Sequence, residues 1–380
     1  MVLGLDFKMD YEVIIIGGGV VGLSCAMFLS QKFSTLLVEQ HPSFGWETSS
    51  RNSEVVHSGI YYPKDSLKAK LCVEGNKSLY LWCEENNVPF KKTGKVIVAT
   101  NEQEIEYLEK LLENAKRNGL DGVESLDASQ VRRLEPNIKA IAGLLVKTTG
   151  IVDSHRLMES LYAKATSNGC SFAFNHRVVA IEPKGETYVI FVQSKDGEKF
   201  NVSSKIVVNS AGLESDIICS LLGMDVDKLG YKLRWAKGHY FRVRHSKSSL
   251  VSRLVYPVPP KNANFLGIHL TIELNGGLKL GPDLVYLDEK VKDYSVPEDL
   301  RQEFYDSVST YLTGLEVEDL FPDQAGIRPK LADFKNYPDF IIKDEKENGF
   351  PGFINLVGIE SPGLTCALEI GKMVYDLAKG

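Results

Sequence analysis

A chain of 380 residues with 43% apolar and 25% charged residues has the composition of a soluble globular protein, and its length calls for two domains rather than one core. The formal net charge of −6 leaves no basic excess to neutralise phosphates, which excludes nucleic acid as a main partner. The cysteines at 25, 72, 83, 170, 219 and 366 form no C-x-x-C pair and read as reduced core thiols of a cytoplasmic protein, with no metal site implied.

Met1 to Met9 is a short extension of no evident structure. Tyr11 to Ile16 is then an apolar strand that opens onto Gly17-Gly18-Gly19-Val20-Val21-Gly22, with a helix expected from Val20 to about Gln31. In such a G-x-G-x-x-G turn the first glycine permits the bend, the second lets backbone approach a pyrophosphate, and the third lets helix pack on strand. The free amides and dipole of the helix start favour the phosphate charge, placing Val20 and Val21 beside it. A second strand, Thr35 to Glu39, ends in a carboxylate 17 residues past Gly22, where a ribose hydroxyl needs an acceptor, with Gln40 next to it. The apolar stretch from Val13 to Leu29 contains four glycines and follows Glu12, so a β-turn-α unit explains it better than a membrane span or a signal peptide.

A polar segment without periodicity, His41 to Pro63, has the character of a binding loop. Helices are expected over Leu67 to Asn86, Glu102 to Asn118, Ser129 to Leu134 and, capped by Asp153-Ser154, through Ala165. Strands are expected at Val96–Ala99 and Gly143–Val146. Alternating runs at Ser171–Asn175, Val178–Ile181, Tyr188–Val192 and Phe200–Val202 read as one small antiparallel layer. Ile206 to Asn209 enters a second glycine turn, Ser210-Ala211-Gly212. Lys232 to Leu280 is mostly extended, and Pro297 opens a helix through Tyr311. Gly326-Ile327-Arg328-Pro329-Lys330 reads as an apolar-flanked turn. Strands at Phe340–Ile342 and Gly352–Val357 precede a last helix, Gly363 to Ala378. The final strand and helix belong with the first unit, which predicts a mixed α/β fold of two interleaved domains. Residues 9–85, 145–225 and 325–380 form the Rossmann-like nucleotide domain, and 86–144 with 226–324 an antiparallel-sheet substrate domain.

One loop is more specific. Asn52-Ser53-Glu54-Val55-Val56-His57-Ser58-Gly59-Ile60-Tyr61-Tyr62, continued by Ser66-Leu67-Lys68-Ala69-Lys70-Leu71-Cys72, resembles the flavin-side loop of the L-2-hydroxyglutarate dehydrogenase group. Similar matches follow at Gly150-Ile151-Val152-Asp153, Tyr256-Pro257-Val258-Pro259, Leu266-Gly267-Ile268-His269, Gly326 to Lys330, and Gly358 to Thr365. The resemblance spans nearly the whole chain. It implies the glycine oxidase/D-amino-acid oxidase superfamily fold, with FAD rather than NAD in the cleft. The implied reaction is oxidation of a small L-2-hydroxy acid to the 2-oxo acid by hydride transfer to flavin N5. The alternative is an amine or amino-acid oxidase of the glycine or sarcosine oxidase type.

The same resemblance implies FAD contacts from Thr48, Ser49, Ser50, Arg51, Asn52 and Ser53, from Val178 with Val179, from Ala211 and Gly212, and from Arg328. Glu360, Ser361, Pro362, Gly363, Leu364 and Thr365 join them at the last helix. Histidine, with an ordinary pKa of about 6.5, suits the base that takes a hydroxyl proton. His269 and His57 are the candidates, His269 first because it lies on the substrate side. Arg328 is expected to grip a carboxylate as a two-point fork. Lys330, Tyr61, Tyr62 and Tyr256 are lesser candidates for substrate binding, and His41, His155, His176 and His245 are read as surface or capping residues.

Departures from the group's pattern are Lys237-Gly238-His239 and Leu270-Thr271-Ile272-Glu273, where an arginine is replaced by a carboxylate that would repel a distal carboxylate. The electron acceptor (quinone, electron carrier or O2) is open. A quinone would require a peripheral membrane-docking surface, for which no basic amphipathic helix is visible.

Overall fold

The computed structural model describes residues 9–259, 267–332 and 337–380. The extension over residues 1–8 and Leu266 lie outside them.

A six-stranded sheet carries the N-terminal unit, in the order Ile341–Glu345, Phe350–Val357, Ile206–Asn209, Val13–Ile16, Thr35–Glu39 and Ser171–Phe174. All its pairs are parallel except the first. Val13 to Ile16 sit at its centre with both faces covered, which is why they form an unbroken apolar run. The helix Val20–Leu29 is apolar on nearly every side because it is enclosed by the helices Ser154–Ser167 and Gly363–Lys379. Gly371 lets the last of these cross closely: a methyl there would lie 2.3 Å from Ser24 Oγ.

The second large sheet is mixed. Its long central pair joins Leu233–Val243 to Leu320–Leu331 in antiparallel register. Strands Leu278–Leu280, Leu270–Ile272, Leu254–Pro257, Lys95–Ala99, Ala142–Val146 and Val123–Asp127 extend it, only Leu254–Pro257 and Lys95–Ala99 being parallel. A separate three-stranded antiparallel sheet contains His176–Lys184, Thr187–Ser194 and Lys199–Ser204. The six cysteines are all free and buried. Among the described residues no helix is long and apolar enough to cross a membrane.

The structure corrects several sequence expectations. Ser171–Phe174 is not part of the small antiparallel layer; it pairs in parallel with Thr35–Glu39 as the edge of the first sheet. Its alternation fits either sheet, and the connecting helix decides. Arg328 does not lie in a turn but in the interior of a 12-residue strand. Pro329 is tolerated there because that strand pairs only on one side, with Leu233–Val243. The helix expected from Pro297 begins as a 3-10 turn, Glu298–Leu300, and its α-helical part ends at Ser309.

Candidate functional site

A long cleft runs from the glycine turn to the face of the mixed sheet, with an internal space of ≈ 1770 Å³ including its open mouth.

At its floor the glycine turn is built to be bare. Gly17 adopts φ +105°, and a methyl on it would lie 2.6 Å from the Ser210 carbonyl oxygen. A methyl on Gly22 would sit 1.9 Å from the Gly17 carbonyl oxygen, so helix and strand can meet only without one. Gly22 therefore packs beneath the cleft, while Gly17, Gly19, Val20 and Val21 line it. No side chain caps the helix start at Gly19; the Val20 amide donates to Ser49 Oγ at 3.0 Å. Glu39 lines the cleft and accepts from the Gly18 and His41 amides at 2.6 and 2.8 Å. Burial raises its carboxyl against those two hydrogen bonds, so it acts as an oriented acceptor.

The loop over residues 48–53 spans the two sheets. Thr48 Oγ1 donates to the Ile327 carbonyl at 2.8 Å, and Gln324 Nε2 to the Asn52 carbonyl at 2.9 Å. These bonds hold the loop against the strand that carries Arg328. Thr48, Ser49, Arg51, Asn52 and Ser53 line the cleft, with Gln40, Val178, Ala211 and Gly212 further along. Ser50 instead donates to the Gly45 carbonyl, away from the opening. Arg51 lies 3.9 Å over the Tyr294 ring, and its Nε is buried with no hydrogen-bond partner. At Val178 the ladder shifts register and skips Val179, leaving its backbone outside the pairing.

Glu360, Ser361, Pro362, Gly363 and Leu364 close the other side, at the start of the last helix, which has no side-chain cap. Glu360 holds Lys68 and Lys330 at 3.3 and 3.0 Å. Burial pushes its carboxyl up, but Lys68, Lys330 and Arg328 together win and bring it to about 2. Because that value lies below the ordinary 4.5, the stabilisation is complete above 4.5 and is lost as pH falls toward 2. Glu360→Gln is expected to cost about 3 kcal/mol at neutral pH by leaving buried cations unpaired. Thermal melts of both forms should converge as pH approaches 2 if the pairing is the cause.

His57, His269, Tyr256, Tyr240 and Arg328 meet at the end of the cleft under the mixed sheet. The His57 amide donates to Thr365 Oγ1 at 3.0 Å, its carbonyl accepts from Asn76 Nδ2 at 2.9 Å, and its Nε2 lies 3.3 Å from Ser361 Oγ. His269 is stacked on Tyr256 with ring centroids 3.8 Å apart and planes 8° from parallel. Its Nδ1 is buried without a hydrogen-bond partner among the described residues. Burial, followed by the charges of Lys95 and Arg328, lowers His57 to about 3 and drives His269 well below its usual 6.5. Both rings are thus neutral at working pH. Arg328 stays charged: burial opposes this, but Tyr240 and Glu360 more than compensate.

Three more expected residues, besides Gly22 and Ser50, stand off the cleft lining. Lys330 is committed to Glu360, Thr365 fastens the His57 loop, and Tyr61 packs against the core of the mixed sheet with its hydroxyl unpartnered. Sequence reasoning missed His41 and His176, which line the cleft, and Trp46 and Glu47 beside them. His41 pairs with Glu47 at 2.8 Å and stacks on Trp46 at 5.6 Å. A tryptophan in so polar a loop was the available signal.

The departures are accounted for locally. His239 Nδ1 binds Asp283 at 2.8 Å, and Lys237 binds Asp293 at 2.8 Å. Glu273 pairs with Arg242 at 3.3 Å and Lys279 at 3.0 Å, and it does not line the cleft.

The chain is similar to known proteins over nearly its whole length. The family model described as FAD dependent oxidoreductase matches residues 12–377. The mitochondrial L-2-hydroxyglutarate dehydrogenase of Arabidopsis thaliana is 37% identical over 97% of this chain and 83% of its own. The L-2-hydroxyglutarate dehydrogenase of Indibacter alkaliphilus is 30% identical over 97% of this chain and 99% of its own. Among solved structures, L-alpha-glycerophosphate oxidase from Mycoplasma pneumoniae with FAD bound superposes with a TM-score of 0.86 at 26% identity, over 97% of this chain and 95% of that one.

Proposed function

The chain belongs to the FAD dependent oxidoreductase family, and on that premise we propose that it oxidises L-2-hydroxyglutarate, or a small L-2-hydroxy acid like it, to the 2-oxo acid. The observation that carries this is the presence of one buried arginine and two buried histidines, both held toward the neutral form, in the same cleft as the glycine turn.

The bare turn at Gly17–Gly22 and Ser49 suit the pyrophosphate, Glu39 a ribose hydroxyl, and the Val178–Val179 bulge the adenine edge. The unpartnered Arg51 Nε is a donor in want of an acceptor in the same cleft. The start of the Gly363–Lys379 helix, which has no side-chain cap, suits a pyrimidine ring that would become more negative on reduction. FAD held by these residues would supply the two-electron acceptor for the C2–H of the substrate. Arg328 forks the C1 carboxylate and so fixes the face of C2 that is presented. His269 takes the hydroxyl proton; its plane is set by Tyr256, and its neutral form has a lone pair to offer. His57, tied down by Thr365 and Asn76, forms the opposite wall.

Because Glu273 is neutralised by Arg242 and Lys279, it presents no unbalanced charge to a distal carboxylate. An amino-acid oxidase would also use an arginine and a base. The relatives are named for L-2-hydroxyglutarate, and the neighbouring oxidase for L-alpha-glycerophosphate, both with an oxidisable hydroxyl, which favours the alcohol reading.

L-2-hydroxyglutarate deuterated at C2 should bleach the flavin anaerobically more slowly than the protiated acid, with 2-oxoglutarate as product. Equal rates with no 2-oxoglutarate would overturn the reaction. Gly22→Val is expected to yield protein without flavin absorbance, since its side chain would occupy the space of the Gly17 carbonyl. Full flavin content in that variant would contradict the role assigned to the turn.

A further inference from the structure

Lys95 begins the strand Lys95–Ala99 in the middle of the mixed sheet and has no exposed surface. Its ammonium has no hydrogen-bond partner and forms no ion pair among the described residues. It lies 4.6 Å from the centre of the Tyr61 ring and 4.5 Å from that of Tyr256. Tyr256 in turn carries His269 on its ring at 3.8 Å. The order from the core outward is therefore Tyr61, Lys95, Tyr256, His269 and the cleft.

Nothing about stability calls for this lysine. An unpaired buried ammonium is costly, two ring faces recover only part of that cost, and an apolar chain of the same length would fill the space without it. What the charge does reach is the site: Lys95 acts electrostatically on both His57 and His269.

We propose that Lys95 is a positioning residue whose ammonium, held behind the Tyr256–His269 stack, adds to burial in holding the His57–His269 pair in the proton-accepting form. This rests on the reading of a histidine as the base. The other groups facing the pair are Arg328, which acts in the same sense, the Ser361 hydroxyl on His57, and the phenols of Tyr256 and Tyr240 near Arg328. Around Lys95 itself are Tyr61, Tyr256 and the thiol of Cys72, none of which is a carboxylate. Burial brings Lys95 to about 7, so its ammonium is fully present, and its effect strongest, on the acid side of neutrality.

Lys95→Met and Lys95→Leu test the proposal in the FAD-loaded protein through three readouts: thermal melting, the acidic limb of the kcat/KM pH profile, and NMR titration of the histidine ring protons. Both variants are expected to melt above the parent at pH 6, with the gain shrinking as pH rises from about 7 toward the ordinary 10.5, where the lysine of the unfolded chain also loses its proton. Both histidine titrations and the acidic limb should move up by roughly one pH unit. Histidine titrations that move while the limb stays support the Lys95 coupling and instead count against a histidine as base. Melting below the parent in both variants, or histidine titrations that do not move, overturns the proposal.

Discussion

His269→Ala should lower kcat for L-2-hydroxyglutarate by about 10²- to 10⁴-fold, the usual range for loss of a general base, while flavin content stays at the parent level. The cofactor should remain because its proposed contacts come from the glycine turn, the 48–53 loop and the last helix, whereas His269 stands just before the strand Leu270–Ile272 of the mixed sheet. His57→Ala is expected to do less to kcat if it forms only the wall. In the parent, the base must be unprotonated to work, and burial with the nearby cations depresses both rings below 6.5. Activity should therefore persist well into acid and fail only as pH falls through the depressed value. A steady-state profile of kcat/KM against pH, run on the parent and both variants, checks magnitude and sign together. An acidic limb at or above 6.5 in the parent would show that the histidines are not neutralised in this way.

Arg328→Met should lower kcat/KM by roughly 30- to 5,000-fold, corresponding to the about 2–5 kcal/mol for truncating one partner of a buried charged contact. Most of the loss belongs in KM if the arginine only holds the carboxylate, and in kcat as well if it also aims C2. The substitution leaves Glu360 with Lys68 and Lys330, so the ion cluster at the last helix should survive. Arg328→Lys should recover little, because one ammonium cannot make the two-point fork. A neutral substrate amide in place of the acid should bind the parent poorly and lose almost nothing further in Arg328→Met. If both substrates lose equally, the arginine is structural and the carboxylate is held elsewhere.

The first βαβ unit was legible because three local signals agree: apolar run, glycine spacing and terminal acid. The closing helix and its glycine turn were legible for the same reason. Arg328 lines the cleft, but its setting is not legible locally, since Pro329 beside it signals a turn and the strand shows only through its pairing with Leu233–Val243. Ser171–Phe174 was assigned to the wrong layer because its alternation says nothing of its partner. Glu273 looked like a repelling charge in isolation; Arg242 and Lys279, from two other strands, change its meaning. Lys95 left no trace in the sequence. A lysine before Val96-Ile97-Val98 reads as a solvated strand end, and it is buried only because Tyr61 and Tyr256, distant along the chain, close over it. Local pattern thus fixes which segments are built, while the electrostatic character of a site depends on long-range neighbours.

The most direct test of the central claim is an anaerobic titration of the purified flavoprotein with L- and D-2-hydroxyglutarate, following the oxidised flavin bands. Stoichiometric bleaching by the L acid and none by the D acid is the expected result. An oxidised flavin untouched by the L acid, in protein that dithionite still reduces, would contradict the assignment of a 2-hydroxy acid oxidoreductase.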